Sequence, residues 1–141
     1  MNIVIHHNPE CGTSRNVVAL VEACGYTPTL IEYLKECWTR PQLLALFAAA
    51  DLTPRTALRE TKSPAKELGL LDPGVTDDVI LDHMLLHPVL VNRPIVCTRK
   101  GVRLCRPSEE VLHLLDRVPS QPFLKEDGSV LDLKHFQSKF R

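Results

Sequence analysis

Apolar positions along the chain fall into short runs and helical stripes. Ile3-Val4-Ile5 is a compact apolar run ahead of a polar stretch, and it reads as a buried strand. From Ser14, apolar side chains recur at Val17, Leu20, Val21 and Cys24, the i, i+3, i+4, i+7 spacing of a helix with one buried face, and Gly25 is suited to end it. Residues 29–33 read as a second strand. Strand, helix and strand in this order predict a βαβ unit with parallel strands. Thr39 can cap a second helix with Pro41 in its first turn and Leu43, Leu46, Phe47 and Ala50 on its apolar face.

Turn signals crowd residues 53–71 and periodicity weakens there; the pattern predicts two short helices, 54–59 and 63–68. Thr76-Asp77-Asp78 opens a stronger helix, with acidic residues where the helix dipole favours them, Leu81, Met84 and Leu85 on one face, and Pro88 as its stop. Residues 95–98 form a strand, Arg99-Lys100-Gly101 a tight turn, and 102–105 its antiparallel partner. Pro107-Ser108-Glu109-Glu110 begins a further helix with Val111, Leu114 and Leu115 inward. Beyond Ser120 the pattern predicts an irregular or partly helical tail. The order is β-α-β-α, a helical middle, then β-β-α. Its simplest packing is an α/β arrangement, a four-stranded mixed sheet flanked by helices. This resembles a thioredoxin-like fold with a helical insertion, roughly 39–90, between its two halves. In that fold a nucleophilic cysteine sits between the first strand and first helix and faces a proline, often cis, for which Pro94 is the candidate.

The length of 141 residues fits a single domain, 1–141, with a real core. Its 17 basic and 17 acidic side chains cancel, which argues against broad nucleic-acid or membrane affinity but not against a local basic pocket. The start of the chain lacks a signal-peptide pattern and no apolar run is of spanning length, so a cytoplasmic location is expected. The five cysteines, Cys11, Cys24, Cys37, Cys97 and Cys105, lack close paired spacing and fit reduced thiols rather than a disulfide framework. Cys24 and Cys97 fall on apolar faces as core residues, and Cys37 reads as a loop thiol.

The candidate chemistry gathers at His6-His7-Asn8-Pro9-Glu10-Cys11-Gly12-Thr13-Ser14-Arg15-Asn16. A turn here sets Cys11 at a helix N-terminus, where free backbone N–H groups and the dipole favour a thiolate and can hold an oxyanion. His7 can lower the thiol's pKa as a nearby imidazolium. Ser14 can cap the helix, donate to the thiolate, or both. Asn8 and Thr13 shape the turn. Glu10 would oppose ionisation if turned inward, and is expected to face solvent. Arg15 either decorates the helix or adds charge to the site.

Three motifs resemble the glutaredoxin-coupled arsenate reductases: His7-Asn8-Pro9-x-Cys11-Gly12-Thr13-Ser14-Arg15-Asn16, Asn92-Arg93-Pro94-Ile95-Val96 and Arg103-Leu104-Cys105-Arg106-Pro107-Ser108-Glu109. The similarity also takes in Glu67-Leu68-Gly69-Leu70 and His87-Pro88, and fades after about Leu115. The resemblance implies reduction of arsenate to arsenite, with Cys11 as nucleophile, glutathione as co-substrate rather than a bound cofactor, and glutaredoxin as partner. It also carries substrate-binding roles onto Arg59, Arg93 and Arg106, whose guanidinium groups suit a tetrahedral oxyanion. In the family a Cys–As–glutathione adduct forms and glutaredoxin removes the glutathione, so one protein thiol suffices.

Neighbouring chemistries are weaker fits. Ser14 stands where a Cys-x-x-Cys dithiol would place its second cysteine. Val17 stands where a phosphatase-type loop, with arginine six residues after cysteine, would place that arginine. A related glutathione-dependent thiol oxidoreductase acting on a mixed disulfide would not need three arginines, and a non-catalytic regulator on the same fold would not need the thiol. His83 and His87 have i, i+4 metal-pair spacing without a third ligand motif, so no metal is expected.

Overall fold

The computed structural model describes residues 1–131 and 133. Strand β1 (Val4–His7), one of the two inner strands of its sheet, is followed by α1 (Gly12–Ala23), β2 (Thr29–Glu32), α2 (Tyr33–Glu36) and α3 (Arg40–Ala49). Next come α4 (Asp77–Leu86), a 3-10 turn at Pro88–Leu90, β3 (Ile95–Thr98), β4 (Gly101–Leu104), a 3-10 helix at Ser108–Leu114, and the short strands β5 (Phe123–Leu124) and β6 (Val130–Leu131). The chain divides into two compact units: residues 1–32 with the chain from Arg93 onward, and Tyr33–Asn92.

The first unit holds a four-stranded sheet in the order β2-β1-β3-β4. β1 runs parallel to β2, with Ile5 opposite Leu30, and antiparallel to β3, with Ile5 opposite Val96. β3 and β4 form a hairpin closed between Thr98 and Gly101, and Gly101 has φ +141°, backbone that a side chain would strain. The sheet is mixed, as expected, and the fold is thioredoxin-like. β1 extends through His6 and His7 because both pair with β2, and His6 also pairs with β3.

In α1, Val17, Leu20 and Val21 are buried, so the period-3.6 stripe is its core face. They join Ile3, Ile5, Val96, Cys105, Val111 and Leu112 in one apolar core. Gly25, at φ +90°, ends the helix as the sequence suggests. Cys11 occupies the N-cap position, so Ser14 lies within the first turn rather than capping it. The expected helix after Pro107 is 3-10 rather than α. The expected irregular tail contains instead the antiparallel β5–β6 pair, turned at Gly128 with φ +90°. Residue 132 and residues 134–141 of that tail lie outside the described residues.

In the second unit, Thr39 caps α3 through a reciprocal capping box with Gln42, and the Thr76 side chain accepts from the Val79 N–H to cap α4. Leu43, Leu46 and Phe47 of α3 and Ile80, Leu81 and Met84 of α4 are buried, while Tyr33 stacks on Trp38 with ring centroids 5.0 Å apart. The helices expected at 54–59 and 63–68 are turns. Isolated bonds such as Ala57 N to Thr53 O (2.9 Å) and Leu68 N to Pro64 O (2.9 Å) do not propagate. Arg55 braces this segment by donating to the carbonyls of Leu70, Asp72 and Val75. Among the described residues, no helix is long and apolar enough to cross a membrane.

Candidate active site

The thiol turn is built from backbone bonds. Cys11 N–H donates to the Asn8 carbonyl (3.0 Å), Glu10 N–H to Asn8 Oδ1 (2.9 Å), and Arg15 N–H to the Cys11 carbonyl (3.0 Å), which starts α1. Asn8 therefore shapes the turn with its own side chain. Glu10 is exposed, as expected, whereas Cys11 is buried.

The β3–β4 register brings two arginines to the same end of the sheet. Ile95 pairs with Leu104, and Cys105 N–H donates to the Pro94 carbonyl (2.9 Å), so Arg93 and Arg106 flank the end of the hairpin together. The Arg93–Pro94 peptide is cis, as is Arg106–Pro107. Arg106 Nη1 donates to the Arg93 carbonyl (3.0 Å) and to Cys11 Sγ (3.7 Å). The carbonyl contact fixes the guanidinium against the sulfur.

Burial pushes the Cys11 thiol up, but the Ser14 backbone N–H, the Arg93 charge, and the hydrogen bond and charge of Arg106 together hold it below the ordinary cysteine value. The helix start supplies a backbone donor and the hairpin supplies the cations. Cys24, Cys97 and Cys105 are pushed up by burial, Cys24 to about 11 and Cys105 to about 12. Cys37 is exposed, at φ +60°.

His7 and Ser14 stand beside this turn, but not as first expected. His7 Nδ1 lies 2.6 Å from Ser14 Oγ, and the same hydroxyl accepts from the Asn8 N–H (3.1 Å). Burial lowers the His7 pKa, Glu32 raises it and Arg15 lowers it, for a net fall below 6.5. Burial therefore works against the imidazolium form expected of His7. Its contact is with the Ser14 hydroxyl, which ties the end of β1 to the first turn of α1. Ser14 meets the sulfur through its backbone N–H rather than through a capping side chain.

Arg59 belongs to the second unit. Its backbone N–H donates to the Leu90 carbonyl (2.8 Å), its Nε to the Thr61 carbonyl (3.1 Å), and its own carbonyl accepts from Ser63. Arg15, left open by the sequence, forms a two-pronged ion pair with Glu126: Nε to Oε1 at 2.8 Å and Nη2 to Oε2 at 3.1 Å. Sequence reasoning missed Glu126. Asp127-Gly128 between Phe123-Leu124 and Val130-Leu131 is a hairpin signal that would have located the turn, though not its partner. His83 Nδ1 sits 2.8 Å from the Val79 carbonyl, and among the described residues no group of three His, Cys, Asp or Glu side chains is arranged to hold a metal.

Among known proteins, the chain is 71% identical over 129 residues to arsenate reductase ArsI2 of a Synechocystis species, covering 92% of each chain. It is 53% identical over 133 residues to an arsenate reductase of Rhizobium meliloti, covering 94% of this chain and 95% of that one. An arsenate reductase structure from Vibrio cholerae superposes with a TM-score of 0.76 at 38% identity, over 82% of this chain and 98% of that chain. The ArsC family model matches residues 6–114. That span begins within β1 and ends with the 3-10 helix, so it takes in the thiol turn and both hairpin arginines, and the chain belongs to the ArsC family.

Proposed function

We infer that this chain is an arsenate reductase whose nucleophile is Cys11, with electrons supplied by glutathione and glutaredoxin. The observation that carries the reading is a buried thiol held below its ordinary pKa by a helix-start N–H and two arginines. Arsenate is a tetrahedral oxyanion, so an attacking thiolate and its substrate repel unless cations offset both. Arg106 and Arg93 are assigned that task. Arg59 enters as a third guanidinium on the family resemblance alone, and its own alanine variant tests it.

In the first step the Cys11 sulfur bonds to arsenic and one oxygen leaves as water. Glutathione then bonds to arsenic, with loss of a second oxygen as water, giving a Cys–As–glutathione adduct. A glutaredoxin thiolate attacks the glutathione sulfur. The sulfur–arsenic bond breaks, its electron pair stays on arsenic, and As(V) becomes As(III). Water releases arsenite from Cys11 and restores the thiol. Two thiols, one from glutathione and one from glutaredoxin, are oxidised to one mixed disulfide and supply the two electrons. Ser14 presents its N–H to the sulfur throughout. His7 serves through the Ser14 hydroxyl by holding the turn.

The test is arsenite formation from arsenate with glutathione and glutaredoxin present. Wild type and Cys11→Ser are run side by side, with a control lacking glutaredoxin. Turnover that requires both Cys11 and glutaredoxin is expected. A folded wild type that forms no arsenite would overturn the reading, and turnover without glutaredoxin would overturn the electron source.

A further inference from the structure

The reaction above leaves Arg15 and Glu126 without a part, yet their contacts converge on the thiol turn. Arg15 uses all three arms of its guanidinium: two on the Glu126 carboxylate, and Nη1 on the Pro9 carbonyl at 2.7 Å, two residues before Cys11. Glu126 is seated independently. Its backbone N–H donates to Asn16 Oδ1 (3.1 Å), and its neighbour Lys125 forms an ion pair with Glu109 (2.7 Å). The β5–β6 turn is closed by Lys125 N–H to the Ser129 carbonyl (2.8 Å) and Gly128 N–H to the Lys125 carbonyl (3.0 Å). The clasp lies over the first residue of α1: a Cβ on Gly12 would be in ordinary van der Waals contact with Glu126 Oε2 (3.4 Å) and Arg15 Nη2 (3.7 Å).

Exposed ion pairs usually contribute little, because two long side chains must be ordered in water. This one has the fork geometry of a two-pronged pair, and both partners are pinned by further hydrogen bonds. We propose that Glu126 is a positioning residue of the thiol site: it clasps Arg15 so that this cation braces the Pro9 carbonyl while its charge is cancelled beside Cys11 and withheld from an incoming oxyanion. The last part rests on the proposed arsenate reaction; the rest does not.

The titratable and charged groups around the thiol are His7 from β1, Glu10 before it, Arg15 from α1, Arg93 ahead of β3 and Arg106 beyond β4, with Glu126 acting on Arg15. Arg15 interacts electrostatically with Cys11, Glu10 and Glu126. With the Glu126 charge gone, Arg15 becomes an uncompensated cation near the sulfur and favours the thiolate. A role limited to bracing the turn predicts the opposite, because loosening the turn draws the Ser14 N–H and the arginines away and raises the titration midpoint.

The experiment follows the rate of Cys11 alkylation by a neutral reagent against pH, read on the Cys11-containing peptide so that Cys37 does not interfere. Glu126→Gln is expected to lower the midpoint by about half a pH unit at low salt, with the shift shrinking as salt is added. Arg15→Gln is expected to raise it, the double variant to lie between the two single variants, and Glu126→Asp, which keeps the charge, to stay near wild type. A midpoint in Glu126→Gln that rises or does not move would overturn the proposal, as would a double variant that keeps the Glu126→Gln shift. Arsenite formation is scored in a parallel tube. Failure there with the alkylation pattern intact removes the reaction and leaves the clasp; the reverse removes the clasp and leaves the reaction.

Discussion

Cys11, in the turn before α1, and Cys105, one residue past β4, are both buried thiols of the same unit, at 6% and 0% exposure. Burial pushes each of them up, yet Cys11 ends below the ordinary cysteine value and Cys105 at about 12. The difference lies in which groups face the sulfur. Cys11 receives a backbone N–H from Ser14 and faces Arg93 and Arg106. Cys105 instead donates to the Arg103 carbonyl (3.7 Å), a contact that favours the protonated thiol. Glu110 raises it further, and Arg103, the nearby cation, is already held by Glu110 at 2.9 Å. Adjacent residues on one strand end thus divide the work: Cys105 enters the core, while Arg106 turns to the other thiol.

The strongest way to break this contrast is to remove each sulfur in turn. Cys11→Ser is expected to lower arsenite formation at least about 10³-fold, the scale on which loss of a nucleophile is felt. Cys105→Ala is expected to keep kcat within about twofold, with a stability loss of about 1 kcal/mol from the missing buried sulfur. Equal loss of turnover in both variants, with both folded, would mean that burial and charge do not separate the two thiols.

Next in size is the loss of a facing cation. Arg106→Ala is expected to cost about 10² in kcat/KM, as for removal of one donor at a developing charge, and to move the Cys11 alkylation midpoint up. Arg103→Ala should do neither, since its charge is already spent on Glu110. A midpoint unmoved in Arg106→Ala would leave the Ser14 N–H and Arg93 to account for the depressed thiol. In wild type, peptide-resolved alkylation should show Cys11 reacting along a profile centred below 9.0, while Cys105 stays inert until the protein unfolds.

Much of this contrast is written locally. A strand, a polar turn and a helical stripe place Cys11 at a helix start. A two-residue turn at Arg99-Lys100 pairs the flanking strands so that Arg93 and Arg106 come to one end, a consequence of register alone. At His7, burial, which periodicity in a short strand does not quantify, outweighs the pull of Glu32 and lowers the pKa. Residues 53–71 are turns rather than the two short helices expected, because periodicity there is weak and Arg55 holds the segment through three carbonyls that no local pattern reveals. Glu126 meets Arg15 across 111 positions, a pairing that spacing cannot announce. The site residues legible in the sequence are those fixed by an element boundary or a register; those fixed by a distant loop are not.

The smallest expected effect is on stability, and here the two thiols pull in opposite directions. Cys11 has a folded pKa below its unfolded value of 9.0, so its ionisation adds stability as pH rises through the folded pKa. That gain is complete above 9.0 and is lost as pH falls back through the folded pKa. Cys105 has a folded pKa of about 12 against the same unfolded value. Its contribution is intact below 9.0 and is lost as pH rises from 9.0 toward 12, by at most about 1.4 kcal/mol per pH unit. Cys24, at about 11, adds to the same alkaline loss. Urea midpoints measured from pH 7 to 11 should therefore fall less steeply above pH 9 in Cys105→Ala than in wild type. In Cys11→Ser the gain on approaching pH 9 should be missing. The slopes carry the test, because the neutral-pH packing loss in Cys105→Ala shifts its whole curve without tilting it. An alkaline slope unchanged in Cys105→Ala would place the penalty on other groups and remove the buried-thiol half of the contrast.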